Sequence, residues 1–453
     1  MKHNIPPKYN LHPKVFHSKV CVLTDLYHEP FQSHPAATAE LPGPGDLYQL
    51  ESPALFSMRT RFLRNDTLAI LLLLTMFGFT QAFAQTGQDI SKPVQFKKQM
   101  VASESYESVG VLDINGDDTL DIISGAFWYE GPDYRDRHFV TEVSRFGHEY
   151  YNDFSSILID VDGDGHRDYV TGGWGSKHIV WLKNPGNTDN WQQTVIDTTG
   201  PVECTRAWDV DGDGHLEVVP NNPGNALKFY KLERDSQGKG TSRFTRYDVA
   251  EKQGHGLGFG DINGDGRGDF IISNGWLEAP ANPLQGKWQM HEEFNIGTAS
   301  VPVLIVDVNE DGKNDIIAGQ GHGYGLHWYE QSTDDSGQRS WIKHPIDPYN
   351  SQFHTMEWAD VTGDGKPELI TGKRFRAHNG HDPGSNDPLG LYYFQWNGDS
   401  FTKHTIDYGP YGEGKGAGLY FAVVDLRGTG RNDIVVAGKD GLCIFYNEGY
   451  EGK

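Results

Sequence analysis

The sequence predicts an all-β fold, a seven-bladed β-propeller, from three observations: a short acidic loop repeated seven times, strand-like runs on both sides of each copy, and an outer-strand pattern between them. The loops begin at Asp113, Asp160, Asp209, Asp261, Asp307, Asp360 and Asp425, spaced by 47, 49, 52, 46, 53 and 65 residues. A period of roughly 40–50 residues built from short strands suits blades, because each unit needs a neighbour to cover its apolar faces. The apolar runs that bracket each loop form the first and second strands. The aromatic pairs Trp128-Tyr129, Trp328-Tyr329 and Tyr392-Tyr393 mark third strands and read as blade packing. Outer strands follow as aromatic-x-x-polar-x-apolar at 191–196, 244–249, 341–346 and 401–406. The same pattern runs from Phe96 to Val101, ahead of the first loop, whereas the chain stops after the third strand of the last blade. The N-terminal strand is therefore expected to complete blade seven and close the ring, leaving no open edge.

Within each loop, positions 1, 3, 5 and 9 carry oxygen ligands. The sets are Asp113, Asn115, Asp117 and Asp121; Asp160, Asp162, Asp164 and Asp168; Asp209, Asp211, Asp213 and Glu217; Asp261, Asn263, Asp265 and Asp269; Asp307, Asn309, Asp311 and Asp315; and Asp360, Asp364 and Glu368. Such sets suit a hard cation that takes six to eight oxygens, which means calcium held in structural sites. The helical calcium hand would need a bidentate Glu at position 12, but Ser124, Thr171 and Pro220 stand there in the first three copies. Copies two and three, with four carboxylates each, are expected to bind best. Copy six, with Thr362 at position 3, should be weaker, and copy seven, with Arg427 and Thr429 at ligand positions, should hold no ion. The net charge of −23 is comparable to the carboxylate content of the six filled loops. Bound cations account for it, and the acidity argues against a nucleic-acid partner.

Residues 58–84 read as a secretory signal peptide: Arg59, Arg61 and Arg64, an apolar stretch from Leu68 to Phe79, and the small-x-small site Ala82-Phe-Ala84. Residues 1–57 then read as an upstream extension, with translation expected from Met58 and the mature propeller at 85–453, secreted or periplasmic. The apolar run is short for a bilayer span, so no stable membrane insertion is expected after cleavage. Cys204 and Cys443 are too few for a disulfide scaffold; two buried free thiols are expected, with a bridge between them left open.

On these loop residues, about 90–448 resemble FG-GAP/VCBS repeats, the calcium-loop propeller units of integrin heads and many exported bacterial proteins. If the loops occupy one face of the disc, the segments before first strands and after second strands occupy the other. His255 and His354 each stand six residues ahead of their loop, and His322, His378 and His381 fall in segments of the same kind. Three or four of these imidazoles form a candidate site for zinc or another divalent metal, or one serves as a general base. Arg374, with Arg376 and Lys373, is the candidate for holding a carboxylate or stabilising an enolate. Tyr324, Trp174 and Trp276 are candidates for stacking on sugar rings.

The segments Gly275-Trp-Leu-Glu-Ala-Pro280 and Gly372-Lys-Arg-Phe-Arg-Ala-His-Asn-Gly-His-Asp-Pro-Gly384 resemble the propellers of aldos-2-ulose dehydratases. Rhamnose–glucuronate lyases use a propeller of the same general type. The resemblance implies a carbon–oxygen lyase that removes a proton beside a carbonyl or carboxylate of a carbohydrate and expels the β-oxygen. The alternative is a non-enzymatic glycan-binding, adhesion or protein-interaction propeller.

Overall fold

The computed structural model describes residues 92–450. The expected leader, the extension 1–57 and the expected mature start at Gln85 lie outside the described residues. Among the described residues, no helix is long and apolar enough to cross a membrane.

Seven four-stranded antiparallel sheets form the seven blades. Blade 1 comprises Gly110–Leu112, Asp121–Ser124, Phe127–Tyr129 and Arg137–Phe139, and blade 2 comprises Ile157–Ile159, Asp168–Gly172, Ile179–Lys183 and Gln192–Asp197. In blades 3 to 6 the first strands are Cys204–Trp208, Leu257–Gly260, Leu304–Val306 and Phe353–Ala359. Each acidic loop joins a first strand to a second, as Leu112 to Asp121 does in blade 1. Blade 7 contains Phe421–Val424, Asp433–Val436 and Leu442–Gly449, and its fourth strand is Gln95–Ala102 from the other end of the described chain, antiparallel to Leu442–Gly449.

First strands touch their neighbours around the ring: 110–112 meets both 157–159 and 421–424, and 353–359 meets both 304–306 and 421–424. The apolar clusters lie between blades, where flat sheet faces stack. Ile157, Val170 and Trp181 of blade 2 pack on Val218 and Tyr230 of blade 3, and Val308, Ile317 and Trp328 of blade 5 pack on Leu369 and Phe394 of blade 6. Cys204 and Cys443 are both buried and unpaired. Two additions stand outside the blade pattern. A small hairpin pairs Arg145–Phe146 with Tyr150–Tyr151 ahead of blade 2, and a long connection runs from Lys373 to Leu389 in blade 6.

Candidate functional site

The acidic loops are built around the carboxylate at position 9. In blade 1 the Asp121 carboxylate accepts from the N–H of Ile114 at loop position 2 and from Gly131 beyond the third strand. The same double bond ties Asp168 to Val161 and Asn184, Asp269 to Ile262 and Ala279, and Asp315 to Val308 and Gln331. Position 9 is thus a buried pin between loop and blade. Burial pushes these carboxyls up, to about 6 for Asp121, Asp269 and Asp315 and to about 7 for Asp168 and Glu368.

The loops ranked strongest from sequence contain a cation of their own. In blade 2 the ammonium of Lys183 pairs with Asp162 and, at 2.7 Å, with Asp164. In blade 3 Lys231 reaches Asp211 at 2.8 Å, Asp213 at 2.6 Å and Glu217 at 3.0 Å. Both lysines come from third strands, at the slot filled by Glu130, Glu278 and Glu330 in blades 1, 4 and 5, where each Glu instead bonds an outer-strand histidine, His138, His291 or His344. In blade 6 ligand atoms of Asp360, Asp364 and Glu368 draw together, and Lys366 pairs with Glu310 of the blade 5 loop. In blade 7, Arg427 pairs with Asp433 and Glu448.

On the funnel side, one slot supplies most of a polar ring. The residues six before each first loop Asp are Glu107, Phe154, Glu203, His255, Val301, His354 and Leu419. Glu107, Glu203 and His354 are buried, and His255 is nearly so. His322, from the loop after the second strand of blade 5, joins them, so that ligand atoms of Glu203, His255, His322 and His354 all lie within 4.8 Å of one another.

The hydrogen bonds set the tautomers. His255 Nδ1 lies 2.8 Å from the Ala299 carbonyl, which can only accept, so Nδ1 donates and Nε2 carries the lone pair of the neutral ring. His322 Nδ1 lies 2.7 Å from the Asp382 carboxylate, which fixes the same tautomer. The two Nε2 atoms then face each other at 2.8 Å. His354 Nε2 is 2.9 Å from Glu203 Oε1, and its buried Nδ1 has no partner. Burial, and then the repulsion a second protonated ring would meet beside His255, pulls His322 down to about 4, while burial and the Arg374 guanidinium hold His354 well below the usual imidazole range. Burial opposes ionisation of Glu203, but the adjacent rings of His255, 3.6 Å away, and of His354, hydrogen-bonded at 2.9 Å, outweigh it and keep the carboxyl well below its ordinary range.

Arg374 is part of this frame rather than a free anion binder. Its guanidinium bonds Glu107 at 2.9 Å and Glu203 at 3.2 Å and is almost fully buried. Lys373 is likewise enclosed, bonded to Ser351 at 2.9 Å and to the Gly384 carbonyl, with burial pulling its amine down to about 8. Further along the connection, Arg376, His378 and Asn379 all adopt left-handed backbone (φ 49°, 46° and 57°), a conformation that costs a non-glycine residue about 1–2 kcal/mol. Side-chain contacts hold it there. Arg376 grips Glu149 with two nitrogens, and His378 donates toward Asp382 at 2.9 Å while stacking on His322 at 4.4 Å.

Asp382 therefore orients two imidazoles, His322 inside the cluster and His378 at the surface. His381 stands apart, with Nδ1 on the His378 carbonyl, and Tyr324 is exposed and bonded to Asp387. Trp276 is not available for stacking on a ligand: it lies on the third strand of blade 4, buried against His291 at 4.2 Å. Trp174 is half-buried against Tyr150, Phe154 and Leu419. Sequence reasoning missed Glu107, Glu203 and Asp382 as members of the site. The offset that singled out His255 and His354 would have found the two glutamates.

A family model described as FG-GAP-like repeat matches residues 160–219, 209–272 and 307–371, spans that start on the acidic loops of blades 2, 3 and 5. The chain carries FG-GAP-like repeats. Curated relatives include Cartilage acidic protein 1 of Mus musculus, 30% identical over 138 residues, and that of Homo sapiens, 28% identical over the same length. The alignments cover 28% of this chain, and the chain spans 21% of the length of those relatives. Among solved structures, the exotype rhamnogalacturonan lyase YesX aligns at 12% identity and a TM-score of 0.46 over 80% of this chain and 75% of that one. BBS1N, solved in complex with ARL6DN, aligns at 12% identity and 0.45 over 78% and 96%.

The FG-GAP-like propeller offers a donor set of three imidazoles and one carboxylate in the funnel, which fits a four-coordinate zinc-type ion. Two neutral lone pairs at 2.8 Å repel unless a cation or proton lies between them. Ligands about 2.0–2.1 Å from zinc stand roughly 3.3 Å apart at a tetrahedral angle, so a small outward shift admits the ion. The Asp382–His322 and Ala299–His255 bonds provide the outer contacts that orient metal-binding imidazoles. Gly321 keeps the space open, since a Cβ there would lie 3.1 Å from both His255 and His354.

Proposed function

We propose that this chain is an exported, calcium-stabilised propeller that binds one divalent transition metal through Glu203, His255, His322 and His354 and performs β-elimination on a keto-sugar or uronide. The observation that carries the reading is the pair of facing Nε2 atoms of His255 and His322, each held in the ligating tautomer by a bond at its own Nδ1. When bound, the metal supplies positive charge beside the oxygen on which negative charge develops.

The chain's own residues do the rest. Asp382 accepts from His378 Nδ1 and leaves Nε2 of that exposed ring as the base for the proton next to the carbonyl. The imidazolium formed can pass its proton to the departing β-oxygen on the same face of the sugar. Arg374 acts indirectly, holding Glu203 and Glu107 ionised and in place. Burial of His354 and Glu203 excludes water from one side of the cluster, while the small exposure of His255 and His322 leaves one approach open.

The test is a screen of keto-sugars and uronides for the conjugated double bond that elimination creates, run on the metal-loaded chain and on His378→Gln. Turnover that disappears in the variant, with metal content retained, supports the assignment. Turnover that is absent from the loaded parent across both substrate classes overturns it and leaves the glycan-binding alternative.

A further inference from the structure

A cleft of about 350 Å³ opens on the small hairpin and the 373–389 connection, lined by Ser105, Arg145, His148, Glu149, Phe375, Arg376, Tyr411 and Lys439. Three of these side chains are cations in a chain whose net charge is −23. The single carboxylate, Glu149, is taken by the two-pronged bond from Arg376, which turns this stretch of an acidic surface basic. Lys439 lies on the floor with its ammonium 3.0 Å from the Arg376 carbonyl, 3.9 Å from Glu107 and 3.8 Å from the centre of the Tyr150 ring. Burial pulls this amine down to about 8, with Glu107 pulling the other way. One wall is aromatic: Phe375 and Tyr411 stack with centroids 4.9 Å apart and planes 10° apart, and Tyr411 is 65% exposed. A flat apolar wall beside convergent cations suits a sugar ring that carries an acid group.

The cleft adjoins the histidine cluster. Lys439 approaches Glu107, Glu107 bonds Arg374, and Arg374 bonds Glu203. Phe375 and Arg376 directly follow Arg374, and the same connection supplies His378 and Asp382. The left-handed residues at 376, 378 and 379 fix how this segment turns between the two.

We infer that the cleft is a binding subsite for the carboxylate of a uronic acid, with Arg376, Lys439 and Arg145 facing the acid group and Phe375–Tyr411 facing the ring. The inference rests on the carbohydrate reading above and selects the uronide from its two substrate classes.

Titration calorimetry of the full chain compares a tri-galacturonate with the same trimer fully methyl-esterified, which keeps the sugar and removes the charge. The acid is expected to bind at least ten-fold more tightly than the ester, and the gap is expected to shrink as salt rises. Arg376→Gln and Lys439→Met should each close most of the gap, and Tyr411→Ala, on an exposed residue that carries no fold, should weaken acid and ester alike. Equal affinity for the two trimers, or no measurable binding of either, overturns the subsite without reference to any variant. Failure of the catalytic reading looks different, because acid-selective binding would persist in a chain that holds no transition metal and turns nothing over.

Discussion

Replacing Lys231 by Met should create a calcium site where the parent chain keeps an internal cation. The Lys231 ammonium touches Asp211, Asp213 and Glu217 at 2.6–3.0 Å, and its side chain is only 21% exposed. Burial works against its charge, but the three carboxylates outweigh that and hold the amine well above its usual range. Removing one partner of a buried ion pair costs roughly 3–5 kcal/mol, and the partial exposure here lowers that to about 2–3 kcal/mol. Without calcium the variant should therefore melt about 5 °C below the parent, taking about 2 °C per kcal/mol for a domain of this size. A calcium concentration a hundred times the dissociation constant returns about 2.7 kcal/mol, nearly the whole loss. Thermal unfolding in chelator and in excess calcium measures both terms, and calcium titration should count about one more ion per chain in the variant than in the parent. An unchanged calcium count, or a melting deficit that calcium does not reduce, would refute the idea that lysine and calcium compete for this loop.

Other consequences follow from the same contacts. Arg374→Met leaves Glu107 and Glu203 buried without their counter-ion and should lower stability by roughly 3–5 kcal/mol, read by chemical denaturation; a variant as stable as the parent would contradict the frame. His354→Ala should remove activity and also cost about 2–4 kcal/mol, because His354 is fully buried and bonded to Glu203. His255→Ala, at a more open position, should lose metal with a smaller drop in melting temperature. A chain shortened to begin at residue 104 loses the strand that pairs with Leu442–Gly449 and should aggregate or unfold non-cooperatively, and a monomeric truncation with a sharp transition would count against ring closure.

Much of the fold was legible because its signals are local and repeated. Each first strand, loop and second strand is written in one continuous run, as at Leu112–Asp121, and the aromatic slots on third and fourth strands recur with the blades. The fourth strand of blade 7 could be read because Phe96–Val101 repeats the outer-strand pattern ahead of the first loop. What loop sequences alone do not contain is the third-strand slot that leans over them. Lys183 lies 15 residues beyond Asp168, so the occupant of that slot is visible only once the hairpin is folded.

The candidate site shows the same division. His255 and His354 share an offset and can be paired from sequence, and Glu107 and Glu203 share it too, although only the histidines stand out there as ligand types. Arg374 looked like a surface anion binder by residue type. Its partners come from blades 1 and 3, 267 and 171 residues away, and no local pattern announces them. Asp382 escaped for the opposite reason, since it sits in an irregular connection whose course depends on three left-handed residues.

The most direct measurement is the elemental content of the full chain, produced without a histidine tag in calcium-containing buffer, set beside His255→Ala. The account predicts about one transition-metal atom per chain in the parent and a clear loss in the variant, with calcium equal in both. A parent that carries calcium alone, or a transition metal that survives the substitution, would contradict the assignment of Glu203, His255, His322 and His354 as its ligands.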